Sequence, residues 1–226
     1  MAEEPVFLPV AEAYDRWAEG YDAYDNPMVF AASQAVDLLA REAAGRRVFE
    51  FGCGTGRNLA VLKRHGAASV AGCDLSEGML AKASARDPAF RLLRHDMAER
   101  LPLDDRSADL VLFSLSLEHM KEIAAPLREA RRILAQGGRI AVIEIHPLLA
   151  MGGLAAHFRA EGQEVRMPTV AHSFADYLNA FAALDLRVAH CREWRPRDFA
   201  APAPAKVLKR GADHPLIVEF ALYTGS

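Results

Sequence analysis

Between about residue 45 and residue 145, short apolar β-rich runs alternate with helical stretches, the pattern that βαβ units and a parallel sheet produce. The strand candidates are Val48 to Phe51, Ala68 to Cys73, Phe90 to Leu93, Leu110 to Phe113 and Arg139 to Ile145. Each has the near-continuous apolar density of a strand covered on both faces. Helices fill the gaps. Asn58 to His65 follows a glycine cluster, and Ser76 to Ala85 opens on a serine whose hydroxyl can satisfy an orphan amide. Glu122 to Gln136 carries Leu127, Ala130, Ile133 and Leu134 on one face, with Gly137-Gly138 placed to stop it. Upstream, Met28 to Ala44 reads as another amphipathic helix.

After Ile145 the pattern loosens. A strand candidate at Glu164 to Val170 and a helix at Phe174 to Leu184 precede two further strands, Leu186 to His190 and Leu216 to Tyr223. Between those last two lies Pro196 to Gly211, whose Ala-Pro repeats resist regular structure. There is no internal repeat. Leu148 to His172 holds Leu148, Leu149, Met151, Leu154, Phe158, Met167 and Val170, an apolar set with few helix partners.

Composition narrows the class. With 226 residues, 51% hydrophobic and 25% charged, the chain has the make-up of one globular α/β domain. A formal net charge of −3, with acids and bases mixed along the chain, offers no basic stripe for a nucleic-acid backbone. The acidic start Met1-Ala2-Glu3-Glu4 leads into no apolar core, and no run is long enough to span a membrane, so the protein is expected in the cytoplasm. Cys53, Cys73 and Cys191 form no CxxC pair and read as small hydrophobes rather than as a disulfide or zinc framework.

The chemistry concentrates where "VFEF" runs into Gly52-Cys53-Gly54-Thr55-Gly56. Glycines there permit positive φ and let a ligand approach the backbone, and the following helix N-terminus offers free amides. The dinucleotide fingerprint GxGxxG would need glycine where Arg57 stands, so the spacing speaks against NAD. Asp74 ends the second strand candidate and Asp96 follows the third, which puts both carboxylates at the carboxyl edge of the sheet, where open α/β sheets bind ligands. One carboxylate can accept from a ribose diol and the other from an exocyclic adenine amine.

"FEFGCGTGRN", "VAGCDLSEGML", "LLRHDMAERLPLDDRSADLVLFSLSLEHM" and "LAQGGRIAVIEIHP" resemble, in order, the motifs of the class I S-adenosylmethionine (SAM)-dependent methyltransferases, over about residues 10 to 146. The resemblance implies a Rossmann-like α/β three-layer sandwich whose seven-stranded, mostly parallel sheet has one antiparallel strand near the edge. It implies one domain over 1–226: a helical cover over 1–44, a SAM-binding core over 45–146, and a substrate-side insert with C-terminal strands over 147–226. It further implies that Glu50 orders the glycine turn, that Gly52, Gly54 and Gly56 border the methionine moiety, and that Asp74 holds the ribose hydroxyls. Leu75 and Met79 would pack on adenine, Asp96 and the Met97 amide would address its edge, and backbone around Ser114 and Leu115 would meet the methionine amine. "AYDRWAEGYDAYDNP" resembles the family's N-terminal cover, which makes Tyr14, Trp17 and Tyr21 lid candidates and Tyr14 and Tyr21 cofactor contacts.

Methyl transfer from a sulfonium is an in-line displacement that needs alignment and water exclusion and no metal; the demethylated product is S-adenosylhomocysteine. A base is needed only where the acceptor loses a proton. Glu118-His119 and Glu144-Ile145-His146 reach the expected edge, and His146 and then His119 are the candidates because histidine titrates near neutrality. The expected partner is a small-molecule acceptor of a methyl group on O, N or C, with neither nucleic acid nor membrane involved, and a homodimer is left open. A nucleic-acid or protein methyltransferase, and a non-catalytic SAM-binding protein, are the alternative readings. The apolar set of Leu148 to His172, Phe158 and Met167 included, is expected to wall the acceptor pocket.

Overall fold

Alternate residues of the central strands divide between two helical layers, and that division builds the molecule. The computed structural model describes residues 4–160 and 162–225; Met1 to Glu3 of the acidic start lie outside the described residues. A short strand β1 (Val6–Phe7) and helices α1 (Val10–Trp17) and α2 (Pro27–Leu39) precede the alternating core. The core runs β2 (Arg47–Phe51), α3 (Arg57–Arg64), β3 (Ser69–Asp74), α4 (Glu77–Arg86), β4 (Arg91–Arg94), β5 (Ala108–Ser114), α5 (Ala124–Ile133) and β6 (Leu134–Ile145). After it come α6 (Pro147–Met151), β7 (His157–Ala160), β8 (Gln163–Arg166), α7 (Phe174–Ala183), β9 (Leu186–Trp194) and β10 (Ile217–Thr224).

Seven strands form one sheet in the order β4-β3-β2-β5-β6-β10-β9, and β10, next to the edge, runs antiparallel to both its neighbours. Val48, Leu110, Leu112, Ala141 and Ile143 face α2 and α3, whereas Phe49, Phe51, Val111, Phe113, Ile140 and Val142 face α5 and α7. Burial on both faces is what makes these strands read as unbroken apolar runs. Phe51 stacks on Phe113 with ring centroids 4.6 Å apart, which ties β2 to β5 just below the functional edge. Register then sets that edge: Phe51 lies level with Cys73 and Phe113, so Gly52, Asp74 and Ser114 emerge side by side.

Two local expectations change. Helix α5 stops at Ile133, because Leu134 is already extended and pairs with Ala108; Gly137, at φ +74°, serves a bulge inside β6 instead of a helix stop. The segment after α6 contains a strand, β7, that periodicity did not reveal. It pairs antiparallel with β8, which in turn pairs parallel with β1 to make a separate three-stranded sheet.

That small sheet and α1 share a core of Ala13, Trp17, Ala18, Met79, Phe158, Val165 and Met167. Trp17 stacks on Phe158 at 4.7 Å. Phe158 and Met167 are therefore buried in the cover's own core, and the expectation that they wall an acceptor pocket is corrected accordingly. Asp15 fastens the cover to the main sheet by accepting from the Ser76 hydroxyl (2.6 Å) and the Gly78 amide (2.9 Å). A Cβ on Gly78 would stand 3.1 Å from that of Ala18, so glycine is what lets α1 approach α4 this closely.

Candidate functional site

The glycine turn follows from its neighbours. Gly52, Gly54 and Gly56 all have positive φ, and a Cβ on Gly52 would lie 2.7 Å from that of Ser116. Gly56 caps α3 from the left-handed region. Asp74 braces the turn: one carboxylate oxygen accepts from the Gly54 amide (2.8 Å) and the other from Ser76 (2.9 Å). Burial raises the Asp74 carboxyl, and these amides pull it back.

Above the turn lies a cavity of about 310 Å³, whose lining includes Tyr14, Tyr21, Gly52, Asp74, Leu75, Asp96, Met97, Ser114 and Leu115. A recess of about 40 Å³ beside it is bounded by Glu50, Gly52, Cys53 and Asn58 and shares Tyr21, Ser114 and Leu115 with it. Most of the cofactor contacts expected from sequence thus come together. Three stand apart: Met79 is buried in the cover's core, Gly54 meets Asp74, and Gly56 packs near Phe90 and Ala83.

Polar atoms around these spaces are left without partners. Glu50 Oε2, His95 Nε2 and Ser116 Oγ are buried with no hydrogen-bond partner, and each belongs to a residue lining the cavity or the recess. Unsatisfied buried groups are uncommon, and three around one cleft describe a cradle for a polar ligand. Glu50 accepts from Asn58 Nδ2 at 2.7 Å, yet burial pushes its carboxyl up to about 8. An acid edge, a glycine turn and unpartnered polar atoms suit a nucleoside bearing a cationic amino-acid tail.

A second cavity, of about 360 Å³, adjoins the first and shares Tyr14, Tyr21 and Leu115 with it. Its walls include Trp17, Tyr24, Met28, Ile145, Leu154 and Leu216, together with Glu118. Leu115, between the two cavities, holds φ +54°, a conformation that costs a leucine energy. Glu144 supports it from beneath: one oxygen accepts from the amides of Ser116 (3.0 Å) and Leu117 (2.9 Å), while burial raises the carboxyl to about 8.

The titratable candidates separate in space. His119 lines the first cavity; its Nδ1–H donates to the Pro168 carbonyl at 3.0 Å, so Nε2 accepts from the Tyr14 hydroxyl at 2.9 Å. Burial lowers its pKa and keeps it neutral. His146 lines neither cavity. Its Nε2–H donates to Glu193 at 2.9 Å and its Nδ1 accepts from the Leu148 amide, which caps α6. Glu118, half-buried and raised to about 7 by desolvation, is the group that faces the second cavity. Sequence reasoning noted its position but preferred the histidines, since nothing local announces the burial that retunes a glutamate.

A mostly parallel sheet with a glycine turn and strand-end acids at its carboxyl edge, under a helical cover, defines a Rossmann-like α/β protein with a cleft where such folds bind ligands. Residues 49–142 match the family model described as "Methyltransferase domain". The chain is 36% identical to a demethylmenaquinone methyltransferase of Thermus thermophilus over 140 residues, covering 58% of this chain and 63% of that protein. To the enzyme of that name from Beutenbergia cavernae it is 34% identical over 143 residues, covering 60% of this chain and 57% of the other. The matches thus span about three fifths of these curated relatives. A crystal structure of a SAM-dependent methyltransferase from Mesorhizobium loti superposes with a TM-score of 0.70 at 25% identity, covering 85% of this chain and 97% of that one. The chain resembles the class I SAM-dependent methyltransferases in sequence over residues 49–142 and in fold over most of its length.

Proposed function

We propose that this protein transfers the methyl group of SAM to a small-molecule acceptor bound in the 360 Å³ cavity. The observation that carries this reading is the junction: a cavity edged by the glycine turn and by Asp74 and Asp96 meets a second one, walled by Trp17, Met28 and Leu154, across Tyr14, Tyr21 and Leu115. Asp74, Leu75, Asp96 and Met97 would hold the nucleoside end of SAM, and Glu50, Gly52, Ser114 and Leu115 its amino-acid end. SAM supplies an electrophilic methyl on a sulfonium. The chain aligns and shields: the Tyr14–His119 hydrogen bond latches α1 over the cleft, and the cover excludes water from the line of attack.

Where the acceptor is a hydroxyl or enol, Glu118 takes its proton. A carboxyl held near 7 is half-ionised at neutrality and is better matched to that task than an ordinary glutamate. His119 keeps Tyr14 in place, and His146 anchors α6. The test joins titration calorimetry with S-adenosylhomocysteine to methyl transfer from radiolabelled SAM into a panel of small acceptors. Demethylmenaquinone, the compound in the relatives' names, stands first in that panel. Micromolar binding with label entering an acceptor is the expected result. Absence of binding refutes the reading.

A further inference from the structure

The second cavity has two kinds of wall. Trp17, Tyr24, Met28, Ile145, Leu154 and Leu216 make an apolar and aromatic side. Opposite in character is the turn Val207–Arg210, which brings Lys206, Lys209 and Arg210 to the lining. This turn is fixed in place. Buried Val207 anchors it, and the Pro204 carbonyl accepts from the amides of Val207 (2.9 Å) and Leu208 (3.3 Å). Proline restrains the approach and Gly211, at φ +94°, ends it.

The charges do not cancel. Lys206 pairs with Asp25 at 3.1 Å, whereas Lys209 and Arg210 have no ion-pair partner among the described residues. The remaining ionisable groups in the lining are Glu118, Tyr14, Tyr21, Tyr24 and His157, and of these only Glu118 titrates to a negative charge near neutrality. A protein with a formal net charge of −3 thus sets two unpaired cations in the lining of its second cavity.

Resting on the reading that this cavity takes the methyl acceptor, we propose that the acceptor is an amphipathic anion. Its apolar or aromatic body lies against the Trp17–Leu154 side, and a carboxylate, sulfonate or phosphate head is met by Lys209 and Arg210. A neutral quinone with a long apolar tail leaves both cations unused. Two charge-assisted contacts at a partly open site favour the anion over a neutral molecule of equal shape by about tenfold or more.

Two fluorescent probes of similar shape test this: anilinonaphthalene sulfonate, which is anionic, and phenylnaphthylamine, which is neutral. Each is titrated into the full chain, with and without saturating S-adenosylhomocysteine. The double substitution Lys209→Gln, Arg210→Gln is expected to weaken the sulfonate about tenfold, to leave the neutral probe within about twofold, and to remove the salt dependence of sulfonate binding. Equal losses for both probes, or sulfonate binding changed by less than about threefold, overturn the proposal. Leu154→Trp fills the apolar side and is expected to abolish both signals; sulfonate binding that survives it places the anion elsewhere and also overturns the proposal. Calorimetry with S-adenosylhomocysteine on the same samples keeps the two ideas apart. Loss of that binding with charge-selective probe binding intact defeats the methyl-transfer reading alone, and the converse defeats the acceptor class alone.

Discussion

Glu144→Gln is expected to change how stability depends on pH while leaving the fold intact. In the folded chain Glu144 is buried and its carboxyl is pushed up to about 8, against 4.5 in its ordinary state. On unfolding, the carboxyl regains its ordinary value. Between those two values the folded state therefore holds a proton that the unfolded state has released. Stability contributed by this group is complete below about pH 4.5 and is lost as pH rises toward 8, at about 1.4 kcal/mol for each pH unit. From pH 5 to pH 7.5 the loss approaches about 3 kcal/mol from this one side chain. Glutamine stays neutral and its carbonyl can still accept from the Ser116 and Leu117 amides, so the loop that holds Leu115 in place keeps its brace. Urea unfolding at pH 5 and pH 7.5 measures the difference. The variant should match the parent at pH 5 and exceed it by about 2 to 3 kcal/mol at pH 7.5. Parallel stability profiles for parent and variant, even if offset, would refute the reasoning, because they would show that Glu144 ionises in both states alike.

Asp74→Ala should weaken S-adenosylhomocysteine binding by about 1 to 3 kcal/mol in calorimetry, since it removes a charge-assisted acceptor and frees the Gly54 amide that braces the turn. Tyr14→Phe deletes the hydrogen bond to His119 and should raise the dissociation constant about fivefold, with faster proteolysis of the N-terminal segment as the accompanying sign of a loosened cover. His146→Ala should cost about 1 to 2 kcal/mol of unfolding free energy through the lost α6 cap and the broken Glu193 contact, with product affinity unchanged. Glu118→Gln should lower turnover of a hydroxyl acceptor by about a hundredfold and abolish the rise of rate through pH 7; a variant that keeps both the rate and the limb removes Glu118 as the base.

The residues that line the cleft at the glycine turn were legible because their determinants are local. A strand, a three-glycine turn and a helix follow one another between Arg47 and Arg64, and the acids at Asp74 and Asp96 each close or follow a strand. What failed to show is whatever depends on distant partners. Strand β1 has two residues and no periodicity, and it exists because Val6 and Phe7 find Val165 and Arg166 far along the chain. Gly137 resembled a helix stop, yet Leu134 is claimed by Ala108 first, and the glycine is spent on the bulge that follows. Phe158 and Met167 belong to an apolar segment visible in the sequence, but Trp17 and Met79 draw them into the cover's core.

The second cavity, the proposed acceptor site, shows the same principle acting on chemistry. It is gathered from five places that are remote in sequence: Tyr14 to Val29, Leu115 to Glu118, Ile145, Leu154 to His157, and Lys206 to Leu216. Leu154 to His157 and Lys206 to Leu216 carry no motif, and the residue types throughout are ordinary when read singly. Their meaning is collective, since burial at this junction raises the Glu118 carboxyl while the Val207–Arg210 turn supplies Lys209 and Arg210, which have no ion-pair partner among the described residues. Glu118 and the Val207–Arg210 turn both lie outside the seven-stranded sheet. On the proposed function, the sheet edge can therefore keep one cofactor geometry while substitutions at Leu154, Lys209 or Arg210 alter which molecule is methylated. Acceptor preference should follow those three positions more closely than it follows identity across residues 49–142, the part of the chain that matches the family model.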